Sequence, residues 1–264
     1  MSRSILTVGS VASVIVSLVF GCNSPSNDVM NSGHPARPKM YALPATDIPD
    51  DVREELHPWI AEFIGLTPAE ATKRLHQRWE SVSRPSLLAL RKTLSEFEVR
   101  AIVDHEVGGM IYAVRPNAKD QGIGNSFYLP APIDLDTLET QLVSVSLSDN
   151  AAVREFMVYF AGLAEDTTTA GHFVYLTLPW PKFTDSWDGS IKHFDEWKNS
   201  LMLYHARNGC HLLVHANGKV AWWVMQEHLV GPQADNFDEW VTQFSEHRKL
   251  AWPYDPYGPP DYAR

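Results

Sequence analysis

The stretch that decides the fold covers residues 196–226 and reads EWKNSLMLYHARNGCHLLVHANGKVAWWVMQ. It holds two Asn-Gly pairs, Asn208-Gly209 and Asn217-Gly218, each flanked by aliphatic, aromatic and β-branched residues. Both central residues of a type I′ turn have positive φ, and Asn-Gly adopts this conformation at the lowest cost. The sequence therefore predicts a three-stranded antiparallel meander whose register is set by two two-residue turns.

Two-residue turns at both positions divide the meander into two faces of different chemistry. The first face is almost wholly apolar and comprises Leu201, Leu203, His205, Cys210, Leu212, Val214, Ala221, Trp223 and Met225. The second face mixes histidine and tyrosine with aliphatic residues and comprises Met202, Tyr204, Ala206, His211, Leu213, His215, Val220, Trp222 and Val224. We expect a helix to cover the first face, and the second to be half exposed or covered by another layer.

An amphipathic helix is predicted shortly after the meander. Asn236 is a suitable N-cap, and Glu239 follows three residues later, as in a capping box. One apolar stripe with i, i+3, i+4, i+7 spacing comprises Phe237, Trp240, Val241 and Phe244. This stripe is expected to pack on the apolar face of the meander.

This order of elements, with these residues, resembles the C-terminal half of the SUKH superfamily, which groups fungal cell-wall-assembly regulators of the SMI/KNR type with bacterial immunity proteins. The family pattern has three strands joined by glycine turns, then a loop containing Glu or His, then a closing helix. The matching positions here are 200–206, 208–210, 217–220, 227–228 and 236–240. The resemblance implies a non-enzymatic module that binds protein partners through a groove or a sheet face, with an immunity or scaffold role.

The overall charge argues against nucleic acid as a partner. The chain has 32 acidic and 22 basic residues and a net charge of −10, so its field repels phosphate. The basic residues of the N-terminal half are spread over two helical segments and are interpreted as a solvated face. They are Lys73, Arg74, Arg78, Arg84, Arg91 and Lys92.

The N-terminus is predicted to be a lipoprotein-type signal peptide, residues 1–21. A short positive segment precedes an apolar run over residues 5–20, which is shorter than the ~20 residues that a membrane span needs. Gly21-Cys22 then resembles a bacterial lipobox, in which the cysteine is acylated, although Phe20 is an unusual residue at its position. We expect lipid attachment at Cys22 and a lipid-anchored location in the bacterial cell envelope, facing the periplasm or on the cell surface. An ordinary secretory signal and an uncleaved anchor are the alternatives.

The rest of the chain divides into four predicted segments. Residues 22–45 are rich in Asn, Ser and Pro and are predicted to be a flexible tether. Residues 46–129 form a smaller region of helices and a hairpin, 130–250 the SUKH-like domain, and 251–264 a Pro/Tyr-rich tail. Helices and strands are mixed rather than strictly alternating, which favours the α+β class, with an antiparallel meander packed against helices.

No catalytic or metal-binding motif is complete. His211 and His215 share one predicted strand face but lie ~13 Å apart, too far for one zinc ion, and His205 is predicted on the opposite face. His105-Glu106 begins like a zinc-protease motif, but a glycine stands where the second histidine is needed. We therefore predict no catalytic residue, metal or cofactor. An envelope hydrolase with histidine acid/base or metal chemistry is the alternative function.

Aromatic residues are concentrated before and within the meander. Most are expected in the core, but tryptophan and tyrosine on rigid loops are favoured anchors of protein interfaces. The candidate partner-binding residues are Trp180, Trp187, Tyr204 and Trp222. The leading prediction is thus a membrane-tethered, non-enzymatic module with a protein partner.

Overall fold

The computed structural model describes residues 38–116, 125–164, 172–173, 179–186, 189–205, 210–224 and 229–249. The helices in these ranges are α1 (Asp50–Glu55), α2 (Pro58–Ala61), α3 (Pro68–Gln77), α4 (Pro85–Leu94), α5 (Leu135–Ser144), α6 (Ala151–Phe160), α7 (Phe183–Ser186), α8 (Phe194–Trp197) and α9 (Phe237–Lys249). The strands are β1 (Met40–Ala42), β2 (Glu98–Val103), β3 (Met110–Val114), β4 (Ser126–Pro130), β5 (His172–Phe173), β6 (Leu201–His205), β7 (His211–Val214), β8 (Val220–Val224) and β9 (Leu229–Ala234). The predicted α+β class is confirmed.

Side-chain caps set the start of the helices that the sequence marks most clearly. The Thr67 hydroxyl accepts the Glu70 N–H, and the Glu70 carboxylate accepts the Thr67 N–H at 2.9 Å, which closes a capping box before α3. Hydrogen bonds from the Thr67 hydroxyl and backbone lower the pKa of Glu70. At α9 the Asn236 Oδ1 accepts the Glu239 N–H at 2.9 Å, so the predicted cap is confirmed.

The strands form two antiparallel sheets with a short connection between them. Their orders are β1-β2-β3-β4 and β5-β6-β7-β8-β9. Tyr128 of β4 exchanges two backbone hydrogen bonds with Ala164, at 2.7 and 2.9 Å, and the adjacent Leu163 carbonyl accepts the Phe173 N–H of β5. The pair Leu163-Ala164 therefore joins the edge of one sheet to the edge of the other.

The second Asn-Gly pair does not form the predicted type I′ turn. The Gly218 N–H donates to the His215 carbonyl, and Val214 pairs with Val220, so the loop is one residue longer than predicted. Gly218 has a φ of +86°, whereas Asn217 is not among the described residues with positive φ. This geometry is that of a three-residue hairpin loop with glycine at the left-handed position. A one-residue change of register moves every side chain of the following strand to the other face.

The first Asn-Gly pair, Asn208-Gly209, lies outside the described residues. The structure does describe the strands before and after it, β6 and β7. Two-residue turns would pair His205 with Leu212, whereas the structure pairs His205 with His211 and Tyr204 with Leu212. A bulge between Met202 and Tyr204 shifts the register by one more residue, so that Met202 pairs with Leu213; this restores the predicted faces further along β6 but not the predicted partners. Residues near this turn therefore change face, and residues beyond the bulge do not.

The predicted faces are consequently right for β7 and wrong for much of β8. The inner face, which packs in the main core, holds Leu201, Cys210, Leu212 and Val214 as predicted, together with Tyr204, Val220 and Trp222 against prediction. The outer face holds Met202 and Leu213 as predicted, together with Ala221 and Trp223 against prediction. The outer face is covered, because Phe183, Ile191 and Trp197 pack on it.

The helical layer lies on the inner face of both sheets. The apolar stripe of α9 is buried as predicted, and its Phe244 ring lies 6.4 Å from the Tyr204 ring of β6. Helices α3, α4 and α6 contribute to the same core cluster. This main core cluster thus includes residues from both sides of the boundary predicted at 129–130.

The described residues also include two strands that the sequence did not predict. Strand β1 lies inside the stretch predicted as a tether and pairs Tyr41 with Ile102 of β2. Strand β9 contains a glycine and a proline, for which the sequence gives no strand pattern, but it pairs along β8 from Val220 to Val224. An edge position tolerates proline, because the missing N–H faces away from the ladder.

Candidate functional site

The predicted partner-binding side chains are core residues where the structure describes them. Trp180, Tyr204 and Trp222 are only 2%, 1% and 2% exposed. Trp180 also donates its backbone N–H to the Gln141 side chain at 2.8 Å, which holds its loop against α5. Because buried rings offer no surface to a partner, we place no partner contact on these three. Trp187 and the predicted lipid-attachment residue Cys22 lie outside the described residues.

Two histidines that the sequence assigned to opposite faces are neighbours. His205 and His211 are cross-strand partners with ring centroids 4.5 Å apart, and the His211 ring stacks on Trp223 at 5.5 Å. His172 of β5 is the cross-strand partner of His205 on the other side. Among the described residues, no group of three or more His, Cys, Asp or Glu residues is arranged to hold a metal ion.

The other histidines singled out by sequence have local structural contacts. His215 accepts the Asn217 N–H through Nδ1 at 3.2 Å, and its ring meets Trp197 edge to face. His105 accepts the Val107 N–H in the turn between β2 and β3. Burial lowers the pKa of His105, and the carboxylates of Glu106 and Asp104 oppose that shift. Both residues lie in turns where they bond to backbone two residues away.

A pocket that sequence reasoning missed opens between α3 and α4. Its volume is about 280 Å³, and it is lined by His76, Trp79, Leu88, Arg91, Lys92 and Ser95. The pocket forms because the C-terminal end of α3 lies beside the last turns of α4. We call it the α3–α4 pocket. The basic residues of α4 were visible in the sequence, but the approach of His76 to them depends on how two helices cross.

Trp79 forms a fixed wall of the α3–α4 pocket. The ring is fully buried and lies 5.8 Å from Phe160 and 6.4 Å from Phe127, and its Nε1–H donates to the Tyr159 carbonyl at 3.4 Å. The His76 ring stacks on it with 6.0 Å between centroids. The wall is therefore held by packing from three other elements.

The polar groups that line the α3–α4 pocket differ in their partners, and the Ser95 hydroxyl donates to the Lys92 carbonyl at 2.7 Å. The Nε2 atom of His76 is buried and has no hydrogen-bond partner. Burial, with the charge of Arg91 as a smaller cause, lowers the pKa of His76. Arg91 donates to the Glu80 carbonyl at 3.4 Å. In the described part of the chain, neither Arg91 nor Lys92 pairs with a carboxylate.

The remaining arginines of the predicted basic face have individual partners. Arg74 forms an ion pair with Glu62. Arg78 donates to the Pro130 carbonyl at 2.7 Å and lies over the Trp59 ring. Arg84 bonds to Asp238 at 2.9 Å and also faces Glu155. These cations are spread over separate contacts, whereas Arg91 and Lys92 share one pocket.

A second concavity of about 360 Å³ lies where the start of α6 meets the loop between β7 and β8. Asn150 and Asn217 face it, and Arg84 is its one cation among the described lining residues. Arg84 already forms ion pairs with Asp238 and Glu155, so its charge is compensated within the protein. This concavity is therefore a weaker candidate ligand site than the α3–α4 pocket.

Comparison of the chain with protein-family models, curated proteins and solved structures found no match. The resemblance to the SUKH superfamily stays a prediction. None of the helices in the described ranges has the length and apolar character to cross a bilayer.

Proposed function

We propose that the chain is a non-enzymatic protein-binding module with a SUKH-like C-terminal domain, tethered through a lipid on Cys22 to the bacterial cell envelope. The observation that carries the proposal is the packing of α9 on the inner face of β6–β8. Phe244 lies 6.4 Å from Tyr204, and Trp240 lies 5.8 Å from Phe173 of the neighbouring strand β5. The resemblance depends on this meander and its closing helix.

The predicted tether favours a scaffold role over an immunity role. Immunity proteins of the SUKH family are usually cytoplasmic, whereas acylation would hold this chain at a membrane. Each buried CH₂ of an acyl chain contributes about 0.8 kcal/mol, so several chains anchor a protein firmly.

The partner contact is expected away from the meander faces, because both are covered by core clusters. The most exposed large aliphatic residues in the described ranges are Leu135 and Val143, at 63% and 64%. Both lie on α5, two turns apart and on the same side of the helix. An apolar surface on a protein partner would bury them, and we place the contact on this side of α5.

Site-specific photo-crosslinking in living cells tests the proposal. A photoreactive amino acid at position 135 or 143 should give one discrete protein adduct, and the same residue at the exposed Lys73 of α3 should not. The double change Leu135→Ser/Val143→Ser, probed from the exposed position Thr140 on the same helix, should remove the adduct. Cys22→Ser should move the protein from the membrane fraction to the soluble fraction. Equal labelling at 73, 135 and 143, or no adduct at any of them, would contradict the proposal.

The second candidate is an envelope hydrolase that uses histidine acid/base or metal chemistry, and the cross-strand pair of His205 and His211, whose ring centroids lie 4.5 Å apart, favours it. Imidazole is a common zinc ligand and the usual general base near neutral pH. Our leading proposal predicts no stoichiometric zinc in the purified protein. One zinc per chain that disappears in His205→Ala but persists in the control His215→Ala would replace the binding-module proposal.

A further inference from the structure

We propose that residues 253–261 of the Pro/Tyr-rich tail form a polyproline II helix that docks, within the same chain, on the outer face of the first sheet, β1–β4. The inference does not depend on the protein-binding proposal, because it concerns a contact inside one chain, on a surface other than α5.

The outer face of the first sheet is apolar. Its cluster comprises Ala101, Val103, Met110, Tyr112 and Val114, with Val107 and Tyr128 packed against it, and no residue of a described helix belongs to it. We call this surface the tyrosine face, because the rings of Tyr112 and Tyr128 lie 4.8 Å apart on it. An antiparallel sheet with one face in water alternates apolar and polar residues, whereas β3 reads Met-Ile-Tyr-Ala-Val and is buried throughout. The sequence of β3 is therefore typical of a sheet that is covered on both faces.

The burial of the tyrosine face indicates a cover that belongs to the chain itself. Val103, Met110 and Val114 are 0%, 2% and 4% exposed, although the described helices contribute their apolar side chains to the other two core clusters. We infer that a segment outside the described ranges supplies the cover.

Composition separates the candidate segments. Three of them adjoin the first sheet in sequence, namely 22–37, 117–124 and 165–171, and all three are dominated by polar residues, glycine and alanine. Residues 253–261 instead read PYDPYGPPD, which is three triplets that each begin with proline. This segment has the apolar and aromatic content that the tyrosine face requires.

The triplets give the segment two apolar ridges and one polar ridge, because a polyproline II helix has three residues per turn. The first ridge consists of the prolines at positions 253, 256 and 259. The second ridge is Tyr254, Tyr257 and Pro260, and the third is Asp255, Gly258 and Asp261. Proline-rich helices of this kind bind surfaces lined by aromatic side chains, since little entropy is lost when a preformed helix docks. The Tyr112–Tyr128 pair is such a surface, and the acidic ridge would face water.

The last turns of α9 lie close to the first sheet. The Phe244 ring is 5.4 Å from the Phe173 ring, and the Phe173 N–H donates to the Leu163 carbonyl, next to the residue that pairs with Tyr128. Pro253 comes four residues after the end of α9. Nine residues of polyproline II span about 28 Å, whereas the five residues of β3 span about 17 Å. The segment is therefore long enough to pass around the sheet and cover β3.

Photo-crosslinking within the purified full chain in detergent tests the inference. A photoreactive phenylalanine derivative at position 257 should link to a peptide that contains Met110–Val114 or Ser126–Pro130, which mass spectrometry identifies. The same group at position 255, on the polar ridge, should give about fivefold less of this product. An equal mixture of isotopically labelled and unlabelled chains separates links within one chain from links between two chains.

The triple change Pro253→Ala/Pro256→Ala/Pro259→Ala should lower the yield from position 257 about fivefold, because alanine does not fix φ at the polyproline II value. The matched control is Asp261→Ala on the polar ridge, which should leave the yield unchanged. Absence of a link from position 257 to the first sheet would overturn the inference, as would equal yields from 255 and 257 or an equal loss in the two variants. Links only between labelled and unlabelled chains would also overturn it, and would assign the tyrosine face to a second copy.

Discussion

The backbone at Gly218 has a φ of +86°, a conformation that a residue with a Cβ atom adopts only at a cost. A Cβ atom built there would also lie 3.0 Å from the Asn150 amide nitrogen at the start of α6. Asn217 instead accepts the Lys219 N–H through Oδ1 at 3.0 Å. Within this Asn-Gly pair the glycine alone supplies the left-handed residue, and the asparagine supplies a hydrogen bond.

This geometry predicts unequal effects of changes at the two positions. Gly218→Ala should lower the free energy of unfolding by about 1–2 kcal/mol, because alanine pays the left-handed penalty and crowds Asn150. Asn217→Ser should cost less than about 0.5 kcal/mol, since serine keeps an acceptor and needs no positive φ. Urea unfolding of both variants measures the difference. A larger loss for Asn217→Ser would contradict the loop geometry and favour the type I′ turn.

At the scale of elements, one polar cluster ties three helices together. Arg84, at the N-cap of α4, bonds to Asp238 of α9 at 2.9 Å and faces Glu155 of α6. Ser86 donates to the same Asp238 carboxylate at 2.5 Å, and Glu155 accepts the Ser83 N–H at 2.9 Å. The two carboxylates thus satisfy polar groups at the start of α4, a helix whose N-cap side chain makes no capping bond of its own.

Asp238→Asn tests this cluster with little change of shape. We expect a loss of about 1–2 kcal/mol in the free energy of unfolding, because a charged acceptor shared by Arg84 and Ser86 is replaced by a neutral amide. The control is Glu98→Gln, which breaks the exposed Glu98–Arg100 pair and should cost less than about 0.5 kcal/mol. Chemical denaturation of both variants measures the contrast. Equal losses would show that the cluster contributes no more than an ordinary surface pair.

At the scale of the whole molecule, the two predicted regions share one core. Trp79, two residues after the end of α3, packs against Phe127 of β4 and Phe160 of α6, and these three rings lie on both sides of the predicted boundary. The backbone link from Tyr128 through Ala164 continues the strand edge across the same place. The two regions therefore meet through ring packing and backbone hydrogen bonds rather than through a linker.

The candidate site shows most clearly where sequence reasoning stops. The basic residues Arg91 and Lys92 and the nearby His76 are all visible in the sequence, but nothing in their spacing shows that α3 and α4 bring them into one pocket. The sequence likewise did not show that Trp180, Tyr204 and Trp222 are buried. A run of aromatic residues indicates a large apolar surface without showing which rings the rest of the chain covers.

The sequence by itself determined the local features: the cap at Asn236, the apolar stripe from Phe237 to Phe244, and the strands on either side of Asn217-Gly218. These follow from interactions among residues a few positions apart, whose energies depend little on the rest of the chain. Only the tertiary structure decided the face on which Trp222 and Trp223 lie, the joining of the two sheets at Leu163-Ala164, and the pocket beside His76. Each of these depends on a one-residue choice of register or on contacts between distant segments, and the local residues are compatible with more than one answer.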